Sequence, residues 1–173
     1  MNYGEIKKTD IANGPGVRVS LFVSGCTHHC KGCFNPETWS VSYGKPFTRE
    51  TEEEILQALV PSYISGLTLL GGEPLEEGNQ NVLFGLVKQV KKIYPQKTIW
   101  CYTGYTFETD VLQRMCIQHP VTGELLSYLD VLVDGEFIEA QKNISLQFRG
   151  SENQRIIDVQ ASLAGKSTVL WKG

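Results

Sequence analysis

Cys26, Cys30 and Cys33 fall within eight residues, Cys-Thr-His-His-Cys-Lys-Gly-Cys. Closely spaced thiols are metal ligands first, because soft sulfur holds zinc and iron–sulfur clusters. The triplet follows an apolar run, Val19–Val23, and a turn at Ser24-Gly25. A strand ending in such a loop holds a metal at the mouth of an α/β sheet. Three ligands leave a four-coordinate centre with one open position, which points to chemistry rather than architecture. Three chemistries suit the spacing. Cys30-Lys-Gly-Cys33 alone is a C-x-x-C redox pair, although a dithiol has no use for a third thiol four residues upstream. With His28 or His29, the three cysteines would close a structural Cys3His zinc site. A four-iron cluster would take a thiolate on each of three irons and leave the fourth iron to a substrate.

A second chemical segment is Gly71-Gly-Glu-Pro74, which follows the apolar run Gly66–Leu70. Glycines at a strand end let a ligand approach the backbone, and Glu73 can receive a cation such as an ammonium group. Its plainer reading is a turn acid facing water. Thr103-Gly104 after Thr98–Tyr102, and Asp134-Gly135 after Val131–Val133, repeat the pattern of an apolar run that ends in polar or glycine residues.

These runs alternate with helical periodicity. Thr51–Glu54 reads as a capping box for a helix with Ile55, Leu56, Leu59 and Val60 inward. Val82, Leu83, Leu86, Val87, Val90 and Ile93 mark a second helix stopped by Pro95. Val111, Leu112, Met115 and Cys116 mark a third, closed by Pro120. Strand, helix, strand in repetition means parallel strands joined by right-handed crossovers. The chain is too short for an eight-unit barrel, so an open partial barrel or a curved doubly wound sheet is predicted. Either gathers functional groups at the carboxyl ends of the strands. Arg18 reads as a strand-end cation beside the rigid turn Gly14-Pro-Gly16, either a structural element that sets the strand's entry angle or a group available to a partner at the barrel opening. Cys101 and Cys116 read as small buried hydrophobes, Trp39, Trp100 and Trp171 as packing residues, and His119 as a helix-end residue. Gly165-Lys-Ser167 is no phosphate loop, because Gln160 stands where its first glycine belongs.

With 173 residues, 41% hydrophobic and 20% charged, the composition is that of one soluble domain. A net charge of −3 gives no sign of a basic nucleic-acid surface. No apolar stretch is long enough to span a membrane, and the first residues lack a signal-peptide core. Five cysteines, three of them clustered, are no disulfide framework, so a reducing compartment, the cytoplasm, is predicted. The sequon at Asn143–Ser145 is then chance.

The cysteine triplet joined to Gly71–Pro74 resembles the radical S-adenosylmethionine enzymes. Asn13-Gly-Pro-Gly-Val-Arg18, Leu21–Cys26, Gly32-Cys-Phe-Asn35 and Thr38-Trp39 narrow the resemblance to the activating enzymes of glycyl-radical enzymes. Trp100–Tyr105, Leu132–Phe137 and Phe148–Arg155 bring it to the activases of anaerobic ribonucleoside-triphosphate reductase. The match runs from Asp10 to Val159 within a single radical S-adenosylmethionine domain, 1–173, with residues 160–173 as an extension outside it. The resemblance implies an open partial (β/α) barrel of the radical SAM type with mostly parallel strands. It implies one 4Fe-4S cluster per chain on Cys26, Cys30 and Cys33, and S-adenosyl-L-methionine as cosubstrate. Gly71, Gly72, Glu73 and Pro74 then match the segment that receives the methionine amino group. Gly32, Cys33, Phe34 and Asn35 frame the cluster loop, with Phe34 against adenine, and Thr103 and Gly104 meet the ribose or carboxylate. Asp134 and Arg149–Asn153 are weaker contacts, and His28 and His29 are plain loop residues. The implied partners are the reductase, whose glycine loses a hydrogen atom, and a low-potential donor such as flavodoxin or ferredoxin, with neither nucleic acid nor membrane. The alternatives are the activase of a pyruvate formate-lyase-type enzyme and, outside the class, a zinc-binding adaptor. The lack of room for a ferredoxin-like insert and the Phe148-Arg-Gly-Ser151 block favour the reductase activase.

Overall fold

The computed structural model describes residues 1–173. The chain opens with β1 (Asn2–Asp10) and β2 (Val17–Val23), then β3 (Lys45–Pro46), α1 (Arg49–Ala58) and β4 (Ile64–Gly71). Next come α2 (Glu77–Ile93), β5 (Thr98–Tyr102), a π-helix (Phe107–Met115), the single turn α3 (Cys116–Gln118) and α4 (Pro120–Leu126). β6 (Val131–Asp134), β7 (Arg155–Asp158) and α5 (Val159–Gly165) complete it. All seven strands form one mixed sheet in the order β3-β1-β2-β4-β5-β6-β7. The four central strands β2, β4, β5 and β6 are parallel, as the alternation of strand and helix predicts. The edge pairings are antiparallel. β1, β3 and β7 carry no clear strand signal, being either short or, in β1, heavily charged. Such sequences suit the margins of a sheet: β3 and β7 are its edges, and β1 is covered by β3 only at Asn2 and Tyr3, so charge on the rest discourages further pairing.

Most buried positions of the central strands are apolar, as a parallel sheet covered on both faces requires, with Arg18, Ser20, Thr68 and Asp134 the buried polar exceptions. Val19, Leu21, Leu67, Leu69 and Ile99 are fully buried. Leu83, Leu86, Val87 and Val90 of α2 pack on them at helical spacing. Each such side chain contributes about 1.5–3 kcal/mol by leaving water.

Several local expectations shift. α1 starts one turn before the predicted capping box. Thr48 is its N-cap: the Thr51 amide donates to the Thr48 hydroxyl (3.4 Å), and the Thr48 amide donates to the Thr51 hydroxyl (3.2 Å). The helix therefore ends at Ala58, leaving Val60 56% exposed, and Ile93, the last residue of α2, is 49% exposed. Pro120 opens α4 rather than only closing what precedes it, because a first-turn proline has no helical amide to lose. Cys116 is half-buried rather than buried.

Arg18 does not border an opening. It is fully buried, its Nε donating to Thr68 Oγ1 (2.7 Å) and its terminal nitrogens to Thr98 Oγ1 (2.9 Å), Leu67 O (2.8 Å) and Thr98 O (2.9 Å). The guanidinium ties β2, β4 and β5 together. Burial lowers its pKa to about 10, so it stays charged at neutral pH. Residues 160–173 fold back on the sheet: Leu170 bridges Ile157, and Trp171 meets Trp100 edge-on at 5.0 Å.

Candidate functional site

The carboxyl end of β2 runs directly into the cysteine loop. The Gly25 and Cys26 amides donate to Thr38 O (2.8 Å) and Trp39 O (3.1 Å), pinning the loop's start to a 3-10 turn at Pro36–Trp39. The Cys33 amide donates to Cys30 O (3.1 Å) and closes the far end. All three thiols are free. Each sulfur is faced by main-chain N–H groups: Cys26 by those of His28 and His29, Cys30 by that of Phe137, and Cys33 by that of Asn35 at 3.4 Å. Amides aimed at sulfur stabilise thiolate and tune a bound cluster. Burial acts the other way and pushes the metal-free Cys26 thiol up to about 11 and raises that of Cys30. Metal loading must therefore release protons.

Cys26, Cys30 and Cys33 line one cavity of about 440 Å³. Phe34, Asn35, Gly71, Gly72, Glu73, Thr103 and Gly104 line it too, whereas Gly32 and Pro74 do not. The loop after β2 thus shares one hollow with the ends of β4, β5 and β6, the last through Gly135. No three His, Cys, Asp or Glu side chains converge closely enough to hold a single metal ion. A four-iron cluster takes each thiolate on a different iron and makes no such demand.

Gly72 is set by protein backbone rather than by ligand space: a Cβ there would lie 2.6 Å from Gly25 O. The Gly72 and Glu73 amides donate to Val23 O (2.8 Å) and Gly25 O (2.7 Å), so the segment after β4 is laid against the root of the cysteine loop. Glu73 is 1% exposed, and its carboxylate is already occupied. Oε1 accepts from the Leu75 amide (2.8 Å); Oε2 accepts from the Gly104 amide (2.8 Å) and His28 Nε2 (3.1 Å). The other nitrogen of His28 meets Glu136 Oε1 at 3.0 Å. Burial opposes the His28 cation, but Glu73 and then Glu136 outweigh it and raise its pKa to about 9. A ring that donates from both nitrogens has no lone pair for a metal. His29 stacks on Trp39 with centroids 4.7 Å apart.

Asp134, 1% exposed, accepts from the Phe107 amide (2.9 Å) and from Arg155 Nε (3.0 Å), so it anchors the π-helix. Arg149 lines the cavity and donates to Gln154 O. Phe34 is 61% exposed at the cavity mouth, edge-on to Phe137 at 5.1 Å.

A protein-family model described as a 4Fe-4S single cluster domain matches residues 12–157. The anaerobic ribonucleoside-triphosphate reductase-activating protein of Vibrio cholerae is 46% identical over 159 residues, covering 90% of this chain and 97% of that protein. The protein of the same name from enterobacteria phage T4 is 45% identical over 158 residues (90% and 93%). That of Escherichia coli K12 is 40% identical over 156 residues (89% and 96%). The chain belongs to the anaerobic ribonucleoside-triphosphate reductase-activating protein family.

A single-cluster family calls for thiolates, and the free thiols gathered in one hollow are those of Cys26, Cys30 and Cys33. Cys101 is fully buried in the core, and neither it nor Cys116 lines the cavity. The donor set therefore fits an iron–sulfur cluster with three protein ligands. Sequence reading missed His28, Trp39, Tyr102 and Phe137 as cavity residues. Their only signal was nearness to the cysteines or to a strand end. Which side chains meet across the rim depends on sheet order, which no local pattern carries.

Proposed function

We propose that this chain is the activase of an anaerobic ribonucleoside-triphosphate reductase, working with S-adenosylmethionine as cosubstrate on an open partial barrel of the radical SAM type. One observation carries the reading: the three cysteines share a single hollow with Gly71–Glu73 and Thr103–Gly104, at the carboxyl ends of parallel strands. Family membership supplies the cluster and the partner's class.

Cys26, Cys30 and Cys33 would hold the cluster, with main-chain amides steadying the sulfurs. When bound, the cluster supplies the single electron that cleaves the sulfonium and so starts hydrogen abstraction from a partner glycine. The chain's own residues bind, orient and exclude water. Gly71, Gly72 and Glu73, with neighbouring Pro74, form the wall for the methionine end. Thr103 and Gly104 form the wall for the ribose or carboxylate, and Phe34 with Asn35 and Gly32 the lip on the adenine side. The buried Leu70 and the aromatic rings of Trp39, Tyr102, Phe137 and Phe148 give the hollow an apolar part of its wall, which would guard a reactive species from solvent. Free thiols suit the cytoplasm, where a flavodoxin or ferredoxin serves as donor. No helix is long and apolar enough to cross a membrane.

Anaerobic loading with iron and sulfide, reduction, and addition of S-adenosylmethionine without any partner tests the reading. It predicts a brown protein that forms methionine and 5′-deoxyadenosine. A colourless, zinc-loaded protein with no cleavage would reject it.

A further inference from the structure

We propose that His28 is a positioning residue: a clamp that locks the cysteine loop to the rim of the sheet and walls off the back of the hollow. The inference rests on the activase reading for its consequence and on geometry for its substance.

The segment Thr27–Lys31 needs such a fastening. Between the bonds of Cys26 at one end and Cys33 at the other, no main-chain hydrogen bond ties it to the sheet. Side chains do this work instead. Thr27 donates through its amide (2.9 Å) and hydroxyl (2.6 Å) to Glu76 Oε1, at one exposed point. His28 reaches further: its Nε2 donates to Glu73 beyond β4 and its Nδ1 to Glu136 beyond β6. Its ring lies edge-on to Tyr105 beyond β5, with centroids 4.4 Å apart. A loop that grows out of β2 is thereby fixed to the ends of the three other parallel strands by one side chain.

The seat is shaped for the ring. The His28 side chain is only 10% exposed, and a Cβ on Gly104 would sit 2.6 Å from its Cδ2 and Nε2. Gly104 is thus needed as glycine by His28, besides presenting its amide to Glu73. His28, Gly104 and Gly135 also line a second, polar hollow of about 460 Å³ that holds Asp110, Asp134 and Arg155. The His28 ring, with Gly104 and Gly135, belongs to the walls of both that hollow and the one holding the thiols. Removing it would join the two and admit water behind the cosubstrate. With both nitrogens spent on carboxylates, the ring neither ligates metal nor touches the reacting atoms.

The test uses the full chain, anaerobically loaded, as wild type, His28→Ala, His28→Gln and Gly104→Ala, whose new methyl must push the ring aside. The proposal predicts near-normal iron and sulfide per chain in all four, since the three thiols remain. It predicts a KM for S-adenosylmethionine raised about tenfold in His28→Ala, equivalent to ~1.4 kcal/mol. The cosubstrate-induced change in the reduced cluster's resonance should be weakened in His28→Ala and in Gly104→Ala, with partial recovery in His28→Gln. In metal-free protein, amide exchange at 104–106 and 135–137 should be faster in His28→Ala than in wild type. Iron content falling in step with activity at unchanged KM would overturn the proposal in favour of a ligand or folding role. So would resonance, KM and exchange all equal to wild type. If wild type itself ignores S-adenosylmethionine, the activase reading fails, and the exchange measurement still decides the clamp.

Discussion

Glu73 and Gly104 are joined by a 2.8 Å hydrogen bond, the buried carboxylate of one receiving the main-chain amide of the other. The two residues follow adjacent parallel strands, so this bond sets the spacing of two strand ends in the wall of the hollow. The acid that sequence reasoning offers to an ammonium group is thus also the acceptor that shapes the groove. Glu73→Gln keeps one oxygen but places an amide N–H₂ against donors. The metal-free variant is predicted to lose about 1–3 kcal/mol in urea unfolding, the cost of unsatisfied buried donors. The loaded variant should keep its iron while its response to S-adenosylmethionine weakens. Unaltered stability would show that Glu73 does not hold the rim.

The clustered and scattered cysteines should separate cleanly. Alanine at Cys26, Cys30 or Cys33 is predicted to leave iron and sulfide labile and abolish reductive cleavage. Cys101→Ala, in the core, should cost on the order of 1 kcal/mol and leave the cluster intact, and Cys116→Ala less. Iron analysis after gel filtration reads the difference. A cluster lost with Cys101 or Cys116 would redraw the ligand set.

Arg18 belongs to the fold. Arg18→Ala empties a buried site and strands the acceptors Leu67 O and Thr98 O. A loss of roughly 2–5 kcal/mol in unfolding is predicted, as for other large-to-small core changes. Activity should fall with the folded fraction. Full stability with a selective loss of transfer to the reductase would restore the partner role.

Arg155 donates to both oxygens of Glu108 (2.9 and 2.7 Å) while also holding Asp134, and Thr168 of the tail donates to Glu108. The Arg155 hydrogen bonds, foremost, hold the Glu108 pKa down to about 2 from an ordinary 4.5. A carboxyl with a depressed folded-state pKa stabilises fully above its unfolded value and loses that contribution as pH falls through the folded one. Glu108→Gln should therefore unfold more readily than wild type above pH 4.5, with the gap closing as pH drops toward about 2. Urea midpoints across this range check it. A gap independent of pH would mean that the charge contributes nothing.

The sequence was most legible where one residue type answers one demand. Apolar runs mark the four parallel strands because both faces are covered, and the cysteine triplet marks its own chemistry. β1 is not legible, since a charged strand near the margin of a sheet, flanked on one side only by the two-residue β3, satisfies the sheet without looking like a strand. The sequence puts the capping box one turn late because Thr48 serves as well as Thr51 and local sequence does not rank them. Arg18 reads as either a structural or a partner-facing cation because no local pattern tells a buried one from a surface one; the structural reading holds, through acceptors on β4 and β5, 49 to 80 residues away. His28 reads as a zinc ligand or a plain loop residue for the same reason, its partners lying 45 and 108 residues distant.

The most direct measurement of the central claim is electron paramagnetic resonance of an anaerobic ribonucleoside-triphosphate reductase incubated with the loaded, reduced chain and S-adenosylmethionine. The account predicts a glycyl-radical signal on the reductase that requires all three components and is absent with Cys30→Ala. A loaded, reduced chain that cleaves S-adenosylmethionine yet never yields that signal, or a signal that forms equally well with Cys30→Ala, would contradict it.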